Sequence, residues 1–239
     1  MSEGIKETKA WYETSYGKLG VNAQRRYPNE ELVRFMARTY FSVPRNERSD
    51  INILEIGCGS CANLWVIAKE GFKAHGLDLC DEAIRLGPSI MDDWGVQAAS
   101  LKSGSMTDIP HPDQSMDCVV DIYSANCLNE ADFETCVREV KRVLKPGGYF
   151  FSYTPGQESD AFRDHAPAKL IDSSTLNGIY RESSMFAGNH YPFRFSHPDS
   201  VRELMEREGF KVTSIERVLR SYNGMEEHFE HLTIDSVKM

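Results

Sequence analysis

Between residues 51 and 155 the apolar positions follow two alternating rhythms. "INILEI" (51–56), "KAHGLDL" (73–79), "AASLKSG" (98–104), "MDCVVDIYS" (116–124) and "YFFSYTP" (149–155) are short apolar runs that predict strands. Residues 62–70, ending before Gly71, and residues 81–86 and 132–144 predict helices. In the last of these, Phe133, Val137, Val140, Val143 and Leu144 form one stripe, and Pro146-Gly147-Gly148 ends it. Strand–helix alternation predicts an α/β fold with a mostly parallel sheet and helices on both faces. Upstream, Asn29 is placed to cap a helix from Glu30 to Tyr40. Downstream, Pro198 opens a helix that Gly209 stops. "FKVTSIERVL" (210–219) and "EHLTIDSVKM" (230–239) then predict an antiparallel pair turning at Asn223-Gly224.

Two segments break the rhythm. Residues 11–28 are aromatic and polar without a firm period, and residues 156–197 are rich in Ser, Asp, Arg, His and aromatics. A loop of that length usually carries function or covers a site. The expected organisation is one domain over 1–239, with 1–45 an N-terminal helical lid and 156–197 a substrate cap.

Composition narrows the partners. The chain has 239 residues, 41% of them hydrophobic, enough for one sizeable core. A net charge of −9 without a basic run argues against nucleic acid, whose phosphates are bound by lysine and arginine. No apolar run approaches the ~20 residues that span a bilayer, and "MSEGIKETKAWYE" has no signal-peptide core. The expectation is a soluble, cytoplasmic protein without membrane contact. Oligomeric state is not legible. Most of the six cysteines sit in apolar runs and read as small buried hydrophobes.

The chemistry concentrates in "ILEIGCGSCANLW" (53–65). Cys58 and Cys61 have the spacing of a redox or zinc pair, but there is no second CxxC and no HxxxH, so no metal is assigned. Gly57 and Gly59 follow a strand and open a helix, which is the arrangement of a nucleotide-cofactor turn. Asp78, ending the second strand, suits ribose hydroxyls. Gly57-x-Gly59-x-x-Ala62 with Asp78 also fits the dinucleotide fingerprint, so an NAD(P)-dependent oxidoreductase is one reading. Against it, Glu55 stands where that fingerprint usually has an apolar residue, and no tyrosine has a lysine four residues later.

Three segments in order carry a resemblance: "ILEIGCGSCANLWVIAKEGFKAHGLDLCDEAI", "GSMTDIPHPDQSMDCVVDIYSANCL" and "VREVKRVLKPGGYFFSYTP". Together they resemble class I S-adenosylmethionine-dependent methyltransferases, strongly over 50–155 and by topology over 198–239. The resemblance implies a Rossmann-like, seven-stranded sheet with an antiparallel last strand, and S-adenosyl-L-methionine as cofactor. It implies Glu55, Gly57, Cys58 and Gly59 beneath the methionine part, Asp78 on the ribose and Leu79 beside the adenine. Ser105 and Met106 would sit at the adenine edge, and Tyr123 and Ser124 on the methyl side. The family's third glycine is Cys61 here. Tyr16 and Arg26 are suitable donors to the methionine carboxylate. Asn126 stands where relatives face the methyl group, and His190 or His165 of the cap is a candidate base. Amino-methylating DNA enzymes carry an Asp/Asn-Pro-Pro-aromatic motif that is missing. The expected acceptor is a small molecule, methylated on oxygen rather than nitrogen. A cofactor-binding partner protein without catalysis is the remaining alternative.

Overall fold

The predicted strands form as β1 (Asn52–Ile56), β2 (Lys73–Asp78), β3 (Ser100–Ser103), β4 (Met116–Ile122) and β5 (Leu144–Pro155). The computed structural model describes all of residues 1–239. Two short strands, β6 (Thr175–Leu176) and β7 (Phe193–Arg194), pair only with each other. The chain ends in β8 (Phe210–Tyr222) and β9 (Glu227–Lys238). The seven-stranded sheet has the order β3-β2-β1-β4-β5-β9-β8. Neighbours from β3 to β5 are parallel, while β9 runs antiparallel to both β5 and β8. The order reverses at β1 and β4, and the crevice outside the carboxyl ends of such strands is where open α/β sheets bind ligands.

Alternation along the strands divides the core. Leu54, Ile56, Val119 and Phe150 face α5 (Glu130–Val143) and α7 (Pro198–Arg207), burying Val137, Val140 and Met205. Ile53, Cys118, Val120 and Phe151 face the other way, onto α2 (Glu30–Thr39) and α3 (Leu64–Lys69). Phe35 of α2 stacks on Phe151 with centroids 4.5 Å apart. Asn29 caps α2 by accepting from the Glu31 N–H at 2.9 Å, as expected. α4 (Asp81–Asp93) is one turn or more longer than its apolar pattern suggested, because Gly87 and Pro88 interrupt the stripe without breaking the helix.

Two differences matter. The Pro146–Gly148 turn is absorbed into β5: Met116 pairs with Leu144, and the register then jumps to Cys118 opposite Tyr149. The aperiodic N-terminus is a regular helix, α1 (Glu3–Leu19), capped by Ser2. Its inward stripe is Ile5, Thr8, Tyr12 and Tyr16, which faces a cavity rather than an oily core and so lacks a hydrophobic period.

The segment 156–197 is folded rather than loose. It contains α6 (Asp160–Arg163) and the β6–β7 pair. Leu176, Ile179, Tyr191, Phe193 and Phe195 form a small aromatic core with Phe229 of β9. Buried Glu227 of β9 ties it down, accepting from Arg181 Nε at 2.7 Å and Ser183 Oγ at 2.8 Å.

Candidate active site

The turn after β1 is shaped by what touches it. Gly57 has φ +69°, and a Cβ there would lie 2.2 Å from the Ser124 side chain. Gly59 has φ +51°, and its Cβ would lie 2.7 Å from the Tyr16 hydroxyl. Both positions therefore need glycine for backbone conformation and for space. The Asp78 carboxylate holds the turn closed: Oδ2 accepts from the Gly59 N–H at 2.7 Å and Oδ1 from the Cys80 N–H at 2.8 Å. Cys61, where the resembling family has glycine, keeps a glycine-like φ of 72°. Its thiol is turned toward α4, where a Cβ on Gly87 would meet Sγ at 2.7 Å. Cys58 lines the cavity and Cys61 does not; both are buried and unbridged.

The cavity over this turn encloses about 890 Å³ of non-atom space, part of it open to solvent. It lies at the carboxyl ends of β1, β2 and β4 and is roofed by α1. Tyr16, Glu55, Gly57, Cys58, Gly59, Asp78, Leu79, Ser105, Met106, Tyr123 and Ser124 all line it. Arg26 does not. It reaches outward to an ion pair with Asp93, and its neighbour Arg25 lines the cavity instead.

Buried polar groups in this cavity are incompletely satisfied. Glu55 is 1% exposed; Oε1 accepts from Asn63 Nδ2 at 2.6 Å, and Oε2 has no partner. Burial pushes its carboxyl up to about 8, against the opposing pull of the Asn63 hydrogen bond and the Arg25 charge. Burial also raises Asp78, opposed by its backbone hydrogen bonds. The Tyr16 hydroxyl, over Gly59, is buried without a partner. Arg25 takes part in no ion pair. An orphan carboxylate oxygen, an orphan phenol and a free guanidinium around a glycine cradle fit an amino-acid zwitterion, and Asp78 beside them fits a ribose diol.

A second cavity adjoins the first and shares Tyr12, Gln24, Arg25 and Tyr123 with it. Tyr123 has φ +59°, an outlier for a bulky residue, held by stacking on Phe186 at 5.3 Å and by a hydrogen bond to His231 Nδ1. Asn126 lies in this second cavity, 1% exposed, with Oδ1 unpartnered. Buried Asp121 fixes the turn that carries it, accepting from the Ser124 and Ala125 N–H groups at 3.0 and 2.9 Å and from Ser152 Oγ at 2.7 Å. The two cap histidines are elsewhere: His190 stacks on Tyr180 at 4.9 Å, and His165 Nδ1 bonds the Phe162 carbonyl at 2.7 Å. Neither lines either cavity, because the cap turns its aromatic residues inward and these imidazoles toward its own rim. The histidine that does reach the site is His231 on β9, buried at 3% exposure. No local signal singled it out, because β9 is buried along nearly all of its length.

Sheet order and glycine-turn cavity together define a Rossmann-like methyltransferase fold. Residues 53–148 match the family model described as "Methyltransferase domain". These residues carry a methyltransferase domain, and they are the stretch that resembles class I S-adenosylmethionine-dependent methyltransferases. It is 29% identical, over 62% of its length, to an uncharacterized methyltransferase of Bacillus subtilis, and covers 59% of that protein. It is 28% identical, again over 62% of its length, to a fatty-acid O-methyltransferase of Mycolicibacterium smegmatis, and covers 56% of it. The chain thus spans less than two thirds of these curated relatives. The solved 1,6-didemethyltoxoflavin-N1-methyltransferase of Burkholderia thailandensis superimposes with TM-score 0.69 at 12% identity, over 99% of this chain and 89% of that one. Similarity at that level concerns the fold. No helix is long and apolar enough to cross a membrane.

Proposed function

We propose that the protein transfers a methyl group from S-adenosylmethionine to an oxygen atom of a small-molecule acceptor. The observation that carries this reading is the unsatisfied charge set in the first cavity. Glu55 is placed to receive the methionine ammonium, with Arg25 and Tyr16 placed for the carboxylate. Asp78 would take the ribose hydroxyls, and Leu79, Ser105 and Met106 would border the adenine. When bound, the cofactor supplies a methyl group already activated on a cationic sulfur. What remains for the protein is orientation and exclusion of water. α1 supplies the roof: Ser2 Oγ bonds Asp132 Oδ2 at 2.5 Å and Lys9 bonds Asp81 at 2.8 Å, fastening it to α5 and α4. The acceptor side is a concavity walled by side chains of α1, the turn after β4, the cap and β9, which suits a small molecule better than a polymer.

Calorimetric titration with S-adenosylmethionine, S-adenosylhomocysteine and NADH, side by side, tests the reading. Binding of the two adenosyl ligands alone is expected. Binding of NADH alone would replace it with an oxidoreductase. Transfer of a labelled methyl group to acceptors then separates an enzyme from a binding partner.

A further inference from the structure

We infer that the second cavity takes a flat aromatic alcohol as methyl acceptor, and that Asn126 and His231 read a hydroxyl on its ring. This rests on the methyltransferase reading above and adds the acceptor class. Part of the cavity wall is built of aromatic faces and edges, and Gln24, Arg25, Asn29, Glu30, Asn189 and Arg220 supply its polar rim. Trp11 meets Tyr12 and Tyr191 edge-on, with centroids at 4.9 and 5.2 Å. Opposite elements contribute two stacked pairs, Tyr123 on Phe186 at 5.3 Å and Tyr153 on His231 at 5.2 Å. Surfaces of this kind favour a planar π-system over a flexible chain, since offset stacking and edge-to-face contact both need a rigid ring.

Two polar atoms of the lining are buried without a partner: Asn126 Oδ1 and His231 Nε2. The Tyr123 hydroxyl has one partner, His231 Nδ1; with Tyr123 as the donor in that contact, the imidazole proton resides on Nε2. These two orphan atoms then offer one acceptor, on Asn126, and one donor, on His231. A hydroxyl satisfies both at once, donating to the first and accepting from the second. A carboxylate satisfies only the donor and brings a charge. Burial lowers His231 to about 4, so the imidazole is neutral at neutral pH and gives that charge no counterion. Of the two arginines at the cavity, Arg220 is paired with Glu30, and Arg25, which lines both cavities, is occupied by the cofactor carboxylate in the reading above. Asn126 and His231 are therefore positioning residues that set specificity.

The test uses the full chain saturated with S-adenosylhomocysteine and titrated calorimetrically with 2-naphthol, naphthalene, naphthalene-2-carboxylate and decan-1-ol. Wild-type protein is expected to bind 2-naphthol at least about tenfold more tightly than the other three. Asn126→Leu and His231→Leu should each reduce the preference for 2-naphthol over naphthalene by about fivefold or more. His231→Gln, whose amide N–H replaces the Nε2 donor, should restore most of it. Tighter binding of the carboxylate or of decanol overturns the inference, as does a naphthol preference that survives both leucine variants. Binding of S-adenosylhomocysteine with none of the four probes bound also overturns it and leaves the methyltransferase reading standing. Failure of S-adenosylhomocysteine itself to bind removes that reading, and the acceptor class with it.

Discussion

Cofactor binding should expel a proton, and Glu55 should be its source. In the free protein the carboxyl is buried against one amide and titrates at about 8. At pH 7 it is therefore about nine-tenths protonated. An ammonium placed at the unpartnered Oε2 stabilises the ionised form and returns the group to the ordinary carboxylate range, near about 4.3. Binding at pH 7 then releases about 0.9 proton, falling to about 0.5 at pH 8 and about 0.1 at pH 9. The linked affinity for S-adenosylhomocysteine should rise by about fiftyfold between pH 6 and pH 8. Titration in phosphate, HEPES and Tris reads the number directly, because the observed heat varies with buffer ionisation enthalpy in proportion to protons released.

The sign on stability is opposite to that of a paired carboxylate. A folded-state value raised above the unfolded value of 4.5 means that the native protein holds its proton where the unfolded chain has lost it. Stability of the free protein from this group is thus full below pH 4.5 and falls as pH rises through 8, by an upper limit of roughly 4–5 kcal/mol. Glu55→Gln should abolish the proton release, weaken the ligand, and make the free protein relatively more stable at pH 8.5. Tight binding at pH 7 with no proton released would refute the reasoning: either Glu55 is already ionised in the free protein, or the ammonium binds elsewhere.

Three further outcomes follow from contacts around the turn. Gly87→Ala should destabilise by about 1–3 kcal/mol through collision with the Cys61 thiol, whereas Cys61→Gly/Gly87→Ala should recover most of that. Urea denaturation of all four proteins gives the coupling, and strict additivity would show that the two side chains do not compete for space. Asp78→Asn keeps one of the two acceptor oxygens and should lose about 1.5–3 kcal/mol of S-adenosylhomocysteine affinity with a modest fall in melting temperature, while Asp78→Ala frees both the Gly59 and Cys80 N–H groups and should lower it further. Equal melting temperatures for the two variants would place the turn's stability elsewhere. Arg25→Ala should weaken the same ligand more than Arg26→Ala, in calorimetry at matched ionic strength; the reverse order would return the carboxylate contact to Arg26.

The cofactor side of this protein was legible because it is local. The strand, the two glycines and Asp78 lie within 53–78, and each works through backbone conformation or through a hydrogen bond to nearby backbone, which residue type and spacing encode directly. Cys61 was legible as a departure but not in its direction; it needed Gly87, one helix away, to show where the thiol goes. The second cavity is assembled from α1, the turn after β4, the cap and β9, and no short window contains it. α1 has no clean period because a helix facing a cavity must present tyrosine and threonine where a core helix presents leucine. His231 reads as one polar position on a terminal strand until β9 inserts between β5 and β8 and brings it against Tyr123. The cap histidines were attractive for their chemistry alone, and His165 and His190 turn out to serve the cap's own packing. A cofactor shared by many enzymes can be held by a contiguous motif. A particular acceptor has to be read by side chains from separate elements, so Asn126 and His231, which converge only after folding, are where specificity in this chain should be sought.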